Sequence, residues 1–244
     1  MIRSVPRPLL TLVMLVAFLF AGATVTAGSA HADSCYSWGR TLSQGASGED
    51  VRQLQIRVAG YPGYGSVLAI DGQFGPATKQ AVVRFQQAYG LSADGIAGPQ
   101  TFGKIYALQD ADCTPIHFAY GELNRCNSTW AGGAVSAAVA RSNALRLMWQ
   151  LEALRHALGD RPINISSGFR SYACNSAVGG ASSSNHLYGR AADITGTPSY
   201  CAIDLEARYH GFSEILGPGY PGHSTHAHLG DQGSRFWSAS QCGI

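Results

Sequence analysis

Residues 184–193 read SNHLYGRAAD, and this stretch decides how the C-terminal part of the chain folds. His186 and Asp193 stand too far apart to be the paired ligands of one helical turn. Gly189 between them permits a turn. The alternation Ala192, Asp193, Ile194 then predicts a short strand. The stretch therefore predicts a turn that presents a histidine, followed by a strand that presents a carboxylate.

The segments around this stretch predict an α+β domain. Residues 163–166 and 226–229 alternate in the manner of strands. A long helix is predicted over residues 136–158, because apolar side chains recur there at helical spacing. Residues 159–162, Gly-Asp-Arg-Pro, end this helix. We expect a sheet that is mainly antiparallel, packed against that helix.

Four histidines and one aspartate cluster in this region of the sequence: His186, Asp193, His223, His226 and His228. Imidazole nitrogen and carboxylate oxygen suit zinc, and catalytic zinc sites use three protein ligands plus a water. Two side chains two apart on a strand share a face, so one of the H-x-H pair can ligate the metal while the other acts as a base. Chance clustering, or an aspartate that only orients a histidine, stays open at this point.

The same residues carry a family resemblance. S-x-H-x-x-G-x-A-x-D at 184–193, H-x-H at 226–228 and SGFRS at 167–171 resemble the zinc D-Ala-D-Ala metallopeptidases, a group that includes lysostaphin-type endopeptidases and the hedgehog signalling domain. The resemblance implies that His186, Asp193 and His228 bind one Zn²⁺ per chain. It implies a general base at His226, a second catalytic histidine at His223 and a substrate-binding or oxyanion-stabilising role for Arg170. Ser184 is expected on the substrate side.

Some relatives use a glutamate as the base. No acidic residue lies between Glu214 and Asp231 in this chain, so a histidine must do that work here. A serine peptidase of the same specificity needs S-x-x-K. Lys79 and Lys104 are the only lysines and neither follows that pattern, which excludes the serine class.

A repeat marks an earlier domain. The pattern D-G-x-x-G-P-x-T occurs at 71–78 and again at 94–101, and each copy reads as a tight turn before a helix. With a helix predicted just after residues 47–50, this makes a small all-α module of three helices. Residues 42–108 resemble the peptidoglycan-binding domain type 1, which implies a non-catalytic module that binds peptidoglycan.

The N-terminus has the features of a secretory signal peptide. Arg3 and Arg7 precede an apolar stretch at 9–20, and Ala30-His31-Ala32 fits the A-x-A cleavage pattern. We therefore divide the chain into a signal peptide (1–32), a peptidoglycan-binding module (33–110) and a zinc peptidase domain (111–244). Cleavage leaves equal numbers of basic and acidic side chains. We therefore expect the protein to be secreted, and either extracellular or wall-associated. Once the signal peptide is removed, we expect no contact with the membrane.

Secretion makes the six cysteines candidates for three disulfides. The pairing that follows the domain layout is Cys35–Cys113, Cys126–Cys174 and Cys201–Cys242, and other pairings stay open. A net charge of +2 gives no case for nucleic acid. We expect a monomer whose two domains are independent, so that the peptidase domain alone hydrolyses small peptides.

The resemblance in layout extends to the secreted zinc D-Ala-D-Ala carboxypeptidases of actinomycetes. It implies hydrolysis of the terminal D-Ala-D-Ala bond of peptidoglycan stem peptides by metal-activated water. Two alternatives stay open: a D,D-endopeptidase that cuts cross-links, and a non-catalytic wall-binding protein with structural zinc.

Overall fold

The computed structural model describes residues 35–196 and 198–244. The predicted signal peptide and the predicted start of the mature chain at Asp33 lie outside these residues. Within the described residues, no helix combines the length and the apolar character that crossing a bilayer requires.

Three helices form the N-terminal module: α1 (Glu49–Arg57), α2 (Pro76–Ala88) and α3 (Pro99–Ala107). α2 and α3 each begin with a proline directly after an extended glycine, where the missing N–H is not needed. Their apolar faces enclose one core, which includes Leu54, Phe85 and Ile105. The all-α prediction for this module is confirmed.

A buried glutamine explains the repeated D-G-x-x-G-P-x-T pattern. The Gln55 amide donates to Asp71 Oδ1 at 2.8 Å and to Thr78 Oγ1 at 3.1 Å, and Gln55 Oε1 accepts from the backbone N–H of Gly72 at 2.8 Å. Gln86 makes the same three contacts in the second copy, with Asp94, Thr101 and Gly95. The Asp, the first Gly and the Thr of each copy are therefore the residues that satisfy one buried amide, a role for Gln55 and Gln86 that was not predicted from the sequence.

The peptidase domain adds four helices and a five-stranded sheet. The helices are α4 (Tyr120–Leu123), α5 (Ala137–Ala157), α6 (Tyr172–Ala177) and α7 (Tyr200–Ala207). The strands are β1 (Asn164–Ser167), β2 (Ala191–Thr195), β3 (Glu214–Leu216), β4 (Ala227–Gly230) and β5 (Phe236–Ser238). Short 3₁₀ helices span Asn185–Tyr188 and Ser240–Cys242.

The sheet order is β1-β2-β4-β3-β5. All pairs are antiparallel except β3–β5, so the mainly antiparallel prediction is confirmed. The long helix predicted over 136–158 is α5, capped by the Ser136 hydroxyl. The strand predicted over 226–229 starts one residue later, at Ala227. Strands β3 and β5 were not predicted, because each is only three residues long.

The two faces of the sheet differ in character. Ala192, Ile215 and Leu229 point into the core against α5 and α7. Because side chains alternate along a strand, Asp193, Glu214 and His228 point to the opposite face. The register places Asp193 directly across from His228. One face of the sheet is thus hydrophobic core, and the other gathers titratable groups.

Helix α5 belongs to both domains. Leu147, Met148 and Leu151 lie in the core of the peptidase domain, whereas Trp149 and Ala153 pack inside the core of the helical module. The expected independence of the two domains stays a prediction, and the shared helix opposes it, because removing the module would expose an indole ring that is 2% accessible.

Three disulfides join the six cysteines, and the favoured pairing is confirmed: Cys35–Cys113, Cys126–Cys174 and Cys201–Cys242. The Cα–Cα distances of 5.2, 6.3 and 5.0 Å lie in the usual range for such bridges. The first bridge ties the chain before α1 to the segment that connects the two domains.

Candidate metal centre

Three side chains from separate elements bring one ligand atom each to the same point. His186 comes from the 3₁₀ helix, Asp193 from β2 and His228 from β4. His186 Nε2 lies 3.1 Å from Asp193 Oδ1 and 3.2 Å from His228 Nδ1. His228 Nδ1 lies 2.9 Å from Asp193 Oδ1. All three residues are buried.

This geometry fits a tetrahedral ion. Zinc binds histidine nitrogen and carboxylate oxygen at about 2.0–2.1 Å, so two ligand atoms on one tetrahedral ion stand roughly 3.3 Å apart. The three separations above are close to that value. A cluster of this composition and spacing is suited to Zn²⁺.

The outward nitrogen of each histidine has its own partner. His186 Nδ1 donates to the backbone carbonyl of Gly168 at 2.6 Å. His228 Nε2 donates to Glu214 Oε2 at 2.9 Å. These bonds fix the tautomers, because a ring nitrogen that donates its proton leaves the other nitrogen free to bind metal. His228 therefore presents Nδ1 to the cluster, and His186 presents Nε2.

Glu214 was missed by the sequence argument. It lies on β3, beside His228 on β4, and its Oε2 also accepts from Asn185 Nδ2 at 2.5 Å. Asn185 Oδ1 in turn accepts from Arg190 Nε at 2.8 Å. The sequence offers one indication of its role, a carboxylate within the mostly apolar segment at 212–216, but this carboxylate belongs to no known motif.

Arg170 lies beside the cluster with two of its donors engaged. Its Nη2 donates to Asp193 Oδ2 at 2.5 Å and its Nε donates to Ser167 Oγ at 2.9 Å. The guanidinium therefore orients the Asp193 carboxylate, a contact that was not predicted from the sequence. Arg170 also lines the cavity in front of the cluster.

The other two histidines of the cluster lie at its open side. His226 precedes β4, and its Nε2 is 3.7 Å from Asp193 Oδ1. The ring centroids of His223 and His226 are 4.7 Å apart. His223 Nδ1 donates to the carbonyl of Pro221 at 2.9 Å, which leaves its Nε2 as an acceptor. The structure thus brings both histidines to the cluster.

Ser184 has a local structural contact. Its hydroxyl accepts from the backbone N–H of His186 at 3.4 Å and caps the 3₁₀ helix. Ser184 also lines the cavity in front of the cluster. The contact holds the turn that places His186.

Burial and charge set the pKa values at the site. Burial lowers the pKa of His186 and of His226, outweighing the attraction of Asp193 in each case. Burial also opposes charge on His228, but its bonds to Asp193 and Glu214 prevail and raise its pKa to about 9, so that binding of Zn²⁺ at Nδ1 would displace a proton. Burial would raise the pKa of Asp193, yet the two histidines hold it well below its usual range. Asp193 is therefore ionised, and His226 is neutral near pH 7.

A cavity of about 550 Å³ opens in front of the cluster. One wall is the segment at 178–186 and the other is the loop at 216–226. A three-residue ligand set that faces such a space keeps a coordination position for water or substrate, which is the arrangement of catalytic zinc sites. The fold and the site together define a class, a metallopeptidase with an attached helical module.

Comparison with known proteins gives the family. The Peptidase M15 model matches residues 116–230, and the peptidoglycan binding domain model matches residues 47–105. The chain is 65% identical over 225 residues to the zinc D-Ala-D-Ala carboxypeptidase of Streptomyces albus G, a match that covers 92% of this chain and 88% of the relative. The chain therefore belongs to the Peptidase M15 family, and both predicted resemblances are confirmed.

Other relatives match only a part of this chain. The N-acetylmuramoyl-L-alanine amidase CwlM of Mycobacterium tuberculosis (strain ATCC 25618 / H37Rv) is 43% identical over 61 residues, which is 25% of this chain and 14% of the relative. The solved SleB N-terminal domain is 38% identical and covers 30% of this chain and 96% of that chain, with a TM-score of 0.27.

Proposed function

We propose that this protein is a zinc-dependent D-alanyl-D-alanine carboxypeptidase that removes the terminal D-Ala from peptidoglycan stem peptides. The observation that carries the proposal is the His186–Asp193–His228 cluster, which faces a cavity and lies in a chain 65% identical to an enzyme of that name. We assign one Zn²⁺ per chain to these three residues. The domain boundaries we propose are 33–110 and 111–244.

When bound, zinc supplies a Lewis acid that polarises the scissile carbonyl and makes water nucleophilic near neutral pH. His226 is the base in our assignment: its imidazole is neutral, it stands at the open side of the cluster, and it takes the proton from the attacking water. The imidazolium then gives that proton to the leaving amine of D-Ala. His223 supports His226 by packing its ring beside it, with 4.7 Å between the ring centroids.

Arg170 has one positive charge and two candidate partners in the substrate. It either stabilises the oxyanion that forms at the scissile carbonyl or holds the terminal carboxylate. Its bond to Asp193 favours the first role, because it fixes the guanidinium beside the ligand set. Ser184 borders the same cavity, where we place the substrate backbone.

The D,D-endopeptidase alternative uses the same machinery on cross-linked wall. The relative that is 65% identical is named a carboxypeptidase, which favours a chain end as the substrate. The structural-zinc alternative is disfavoured by the open side of the cluster. We further propose that the protein acts as a secreted monomer, which light scattering after size exclusion tests.

Purified protein is incubated with a free D-Ala-D-Ala-terminated peptide and, separately, with cross-linked wall. We expect release of free D-Ala that stops with a chelator and returns with zinc. His226→Ala should retain zinc and lose turnover, whereas His223→Ala should keep more activity. Full activity after metal removal would overturn the proposal. Cleavage of cross-links without release of free D-Ala would show that the protein is a D,D-endopeptidase instead.

A further inference from the structure

A second cleft lies where the helical module meets the peptidase domain. It encloses about 630 Å³ and shares no lining residue with the metal cavity. Its lining comes from both domains and includes Tyr64, Arg84, His156, Glu206 and Tyr209. Clefts between domains are a preferred location for ligand sites.

Two exposed tyrosines form one wall of this cleft. Tyr64 belongs to the module and is 54% exposed, and Tyr209 follows α7 in the peptidase domain and is 45% exposed. Their ring centroids are 5.1 Å apart. The ring planes meet at 57°, so the two rings, one from each domain, form an apolar corner of the cleft that is open to solvent.

Polar groups with fixed positions complete the cleft. Arg84 donates from Nη1 to the Pro62 carbonyl at 3.0 Å, and Glu206 Oε1 lies 3.2 Å from His210 Nε2. These bonds hold a cation and a carboxylate at the rim while leaving hydrogen-bonding capacity on each. Aromatic faces combined with a few positioned polar groups match a sugar ring, which has an apolar C–H face and a rim of hydroxyl groups.

The cleft is rigid because the domains are bonded directly beneath it. The Gly65 N–H donates to the Arg208 carbonyl at 2.8 Å, and His210 Nδ1 donates to the Gly60 carbonyl at 2.7 Å. A Cβ on Gly60 would stand 2.4 Å from Ala153 Cβ, so the backbones approach as closely as glycine allows. A preformed site loses little entropy when a ligand binds.

Aromatic rings lead from this cleft toward the metal site. Tyr64 packs edge-on against Trp237 of β5, with 5.6 Å between the ring centroids, and the preceding residue, Phe236, points to the other face of the sheet. Phe236 is exposed and contacts Tyr220 at 6.0 Å, and Tyr220 lines the metal cavity. Since Glu214 follows Tyr209 by only a few residues, the two positions are no more than roughly 18 Å apart.

We propose that the junction cleft binds the amino-sugar glycan strand of peptidoglycan, while the stem peptide of the bound sugar passes around the β5 edge to the metal site. An extended peptide of about five residues reaches about 18 Å, which equals the upper limit on the direct separation of Tyr209 and Glu214. The inference rests on the proposed function and deepens it, because it makes a glycan-linked peptide the preferred substrate. It also places a sugar site between the domains, and neither domain alone would form that site.

The first test measures sugar binding without catalysis. The N-acetylglucosamine tetramer is titrated into full-length protein and followed by calorimetry and amide NMR shifts. We expect binding that Tyr64→Ala plus Tyr209→Ala weakens by at least about tenfold. Tyr64→Leu plus Tyr209→Leu keeps apolar contact, lacks the flat faces and should weaken binding as well. Tyr172→Ala, at a tyrosine of equal exposure (55%) outside both cavities, is the matched control.

The second test compares D-Ala release from a stem peptide attached to a glycan chain and from the same peptide free. We expect a lower KM for the attached form, and loss of that preference in the double variants with unchanged kinetics on free peptide. Tetramer binding or substrate preference that survives both double variants would overturn the inference. If no substrate releases D-Ala, the proposed function fails, while the titration still decides whether the cleft binds sugar.

Discussion

The helical module and the metal-facing side of the sheet both bury polar groups, but they satisfy them in opposite ways. In the module, Gln55 and Gln86 are neutral amides whose partners lie in the turn and helix that follow. On the sheet, Asp193, Glu214 and His228 are titratable groups that meet from separate strands. The glutamines of the module have all their hydrogen bonds without a ligand. The carboxylates of the sheet carry negative charge that a bound cation would neutralise.

The two arrangements differ in what a buried polar group requires. A neutral amide needs only hydrogen bonds, and a repeated local pattern supplies them. A buried carboxylate needs a counter-charge, and at the sheet Arg170 and protonated His228 supply it while His186 adds a polar contact. The buried polar groups of the module thus serve folding alone. On the sheet, the titratable side chains have shifted pKa values, as is typical of active sites.

The largest expected effect comes from removing one ligand. Asp193→Ala eliminates the carboxylate that joins both histidines, so we expect loss of stoichiometric zinc and a fall in D-Ala release by several orders of magnitude. Zinc content by mass spectrometry and turnover on a free peptide measure both. The helical module should remain folded, since its polar contacts do not reach this face. Retention of zinc with full turnover would show that the metal lies elsewhere.

A second substitution tests the boundary between the two regions. Trp149 on α5 fills the module core and donates from Nε1 to the Cys113 carbonyl at 3.2 Å. Trp149→Ala should lower the free energy of unfolding by about 3–5 kcal/mol, and urea unfolding should remain a single transition because both domains share the helix. Val139→Ala, on the exposed side of the same helix, should change stability by less than about 0.5 kcal/mol. Two separate transitions would restore the independence expected from sequence.

A third prediction concerns a buried carboxyl behind the sheet. Asp204 on α7 is fully buried, and neither of its oxygens has a hydrogen-bond partner in the described part of the chain. Burial raises its pKa to about 7. The folded protein therefore keeps a proton that the unfolded chain loses above about pH 4, so this group reduces stability as pH rises from 4 through 7.

Urea unfolding at a series of pH values measures that contribution. The loss between pH 4 and pH 8 is up to about 4 kcal/mol, and Asp204→Asn should remove most of it. An unchanged slope in the variant would contradict the assignment to Asp204.

The smallest expected effect comes from substitutions of Glu214, which compare a charged with a neutral hydrogen-bond acceptor for His228. Glu214→Leu removes the acceptor for His228 Nε2 and should weaken zinc binding by about 10–100-fold. Glu214→Gln keeps an acceptor without the charge and should lose less. Competition with a chromophoric chelator measures the affinities, with Glu49→Leu on the exposed start of α1 as the control. Equal affinity in all variants would remove Glu214 from the site.

Local patterns revealed most of the fold and the centre of the site. Helix α5, the repeat turns and three strands are visible in periodicity, and the S-x-H-x-x-G-x-A-x-D and H-x-H motifs include every residue of the metal cluster. Gln55, Glu214 and Trp149 were not predicted in their roles, because each acts through a contact between segments distant in sequence. Sequence spacing gives no distance between β3 and β4, or between α5 and the module.

The central claim is that His186 Nε2, Asp193 Oδ1 and His228 Nδ1 hold one catalytic zinc. A crystal structure of the zinc-loaded protein, with anomalous scattering recorded on both sides of the zinc edge, tests it most directly. We predict one anomalous peak per chain within about 2.0–2.3 Å of those three atoms, with its open side toward His226 and Arg170. A peak bound through His228 Nε2, or one that replaces any of the three ligands with His226, would contradict the account.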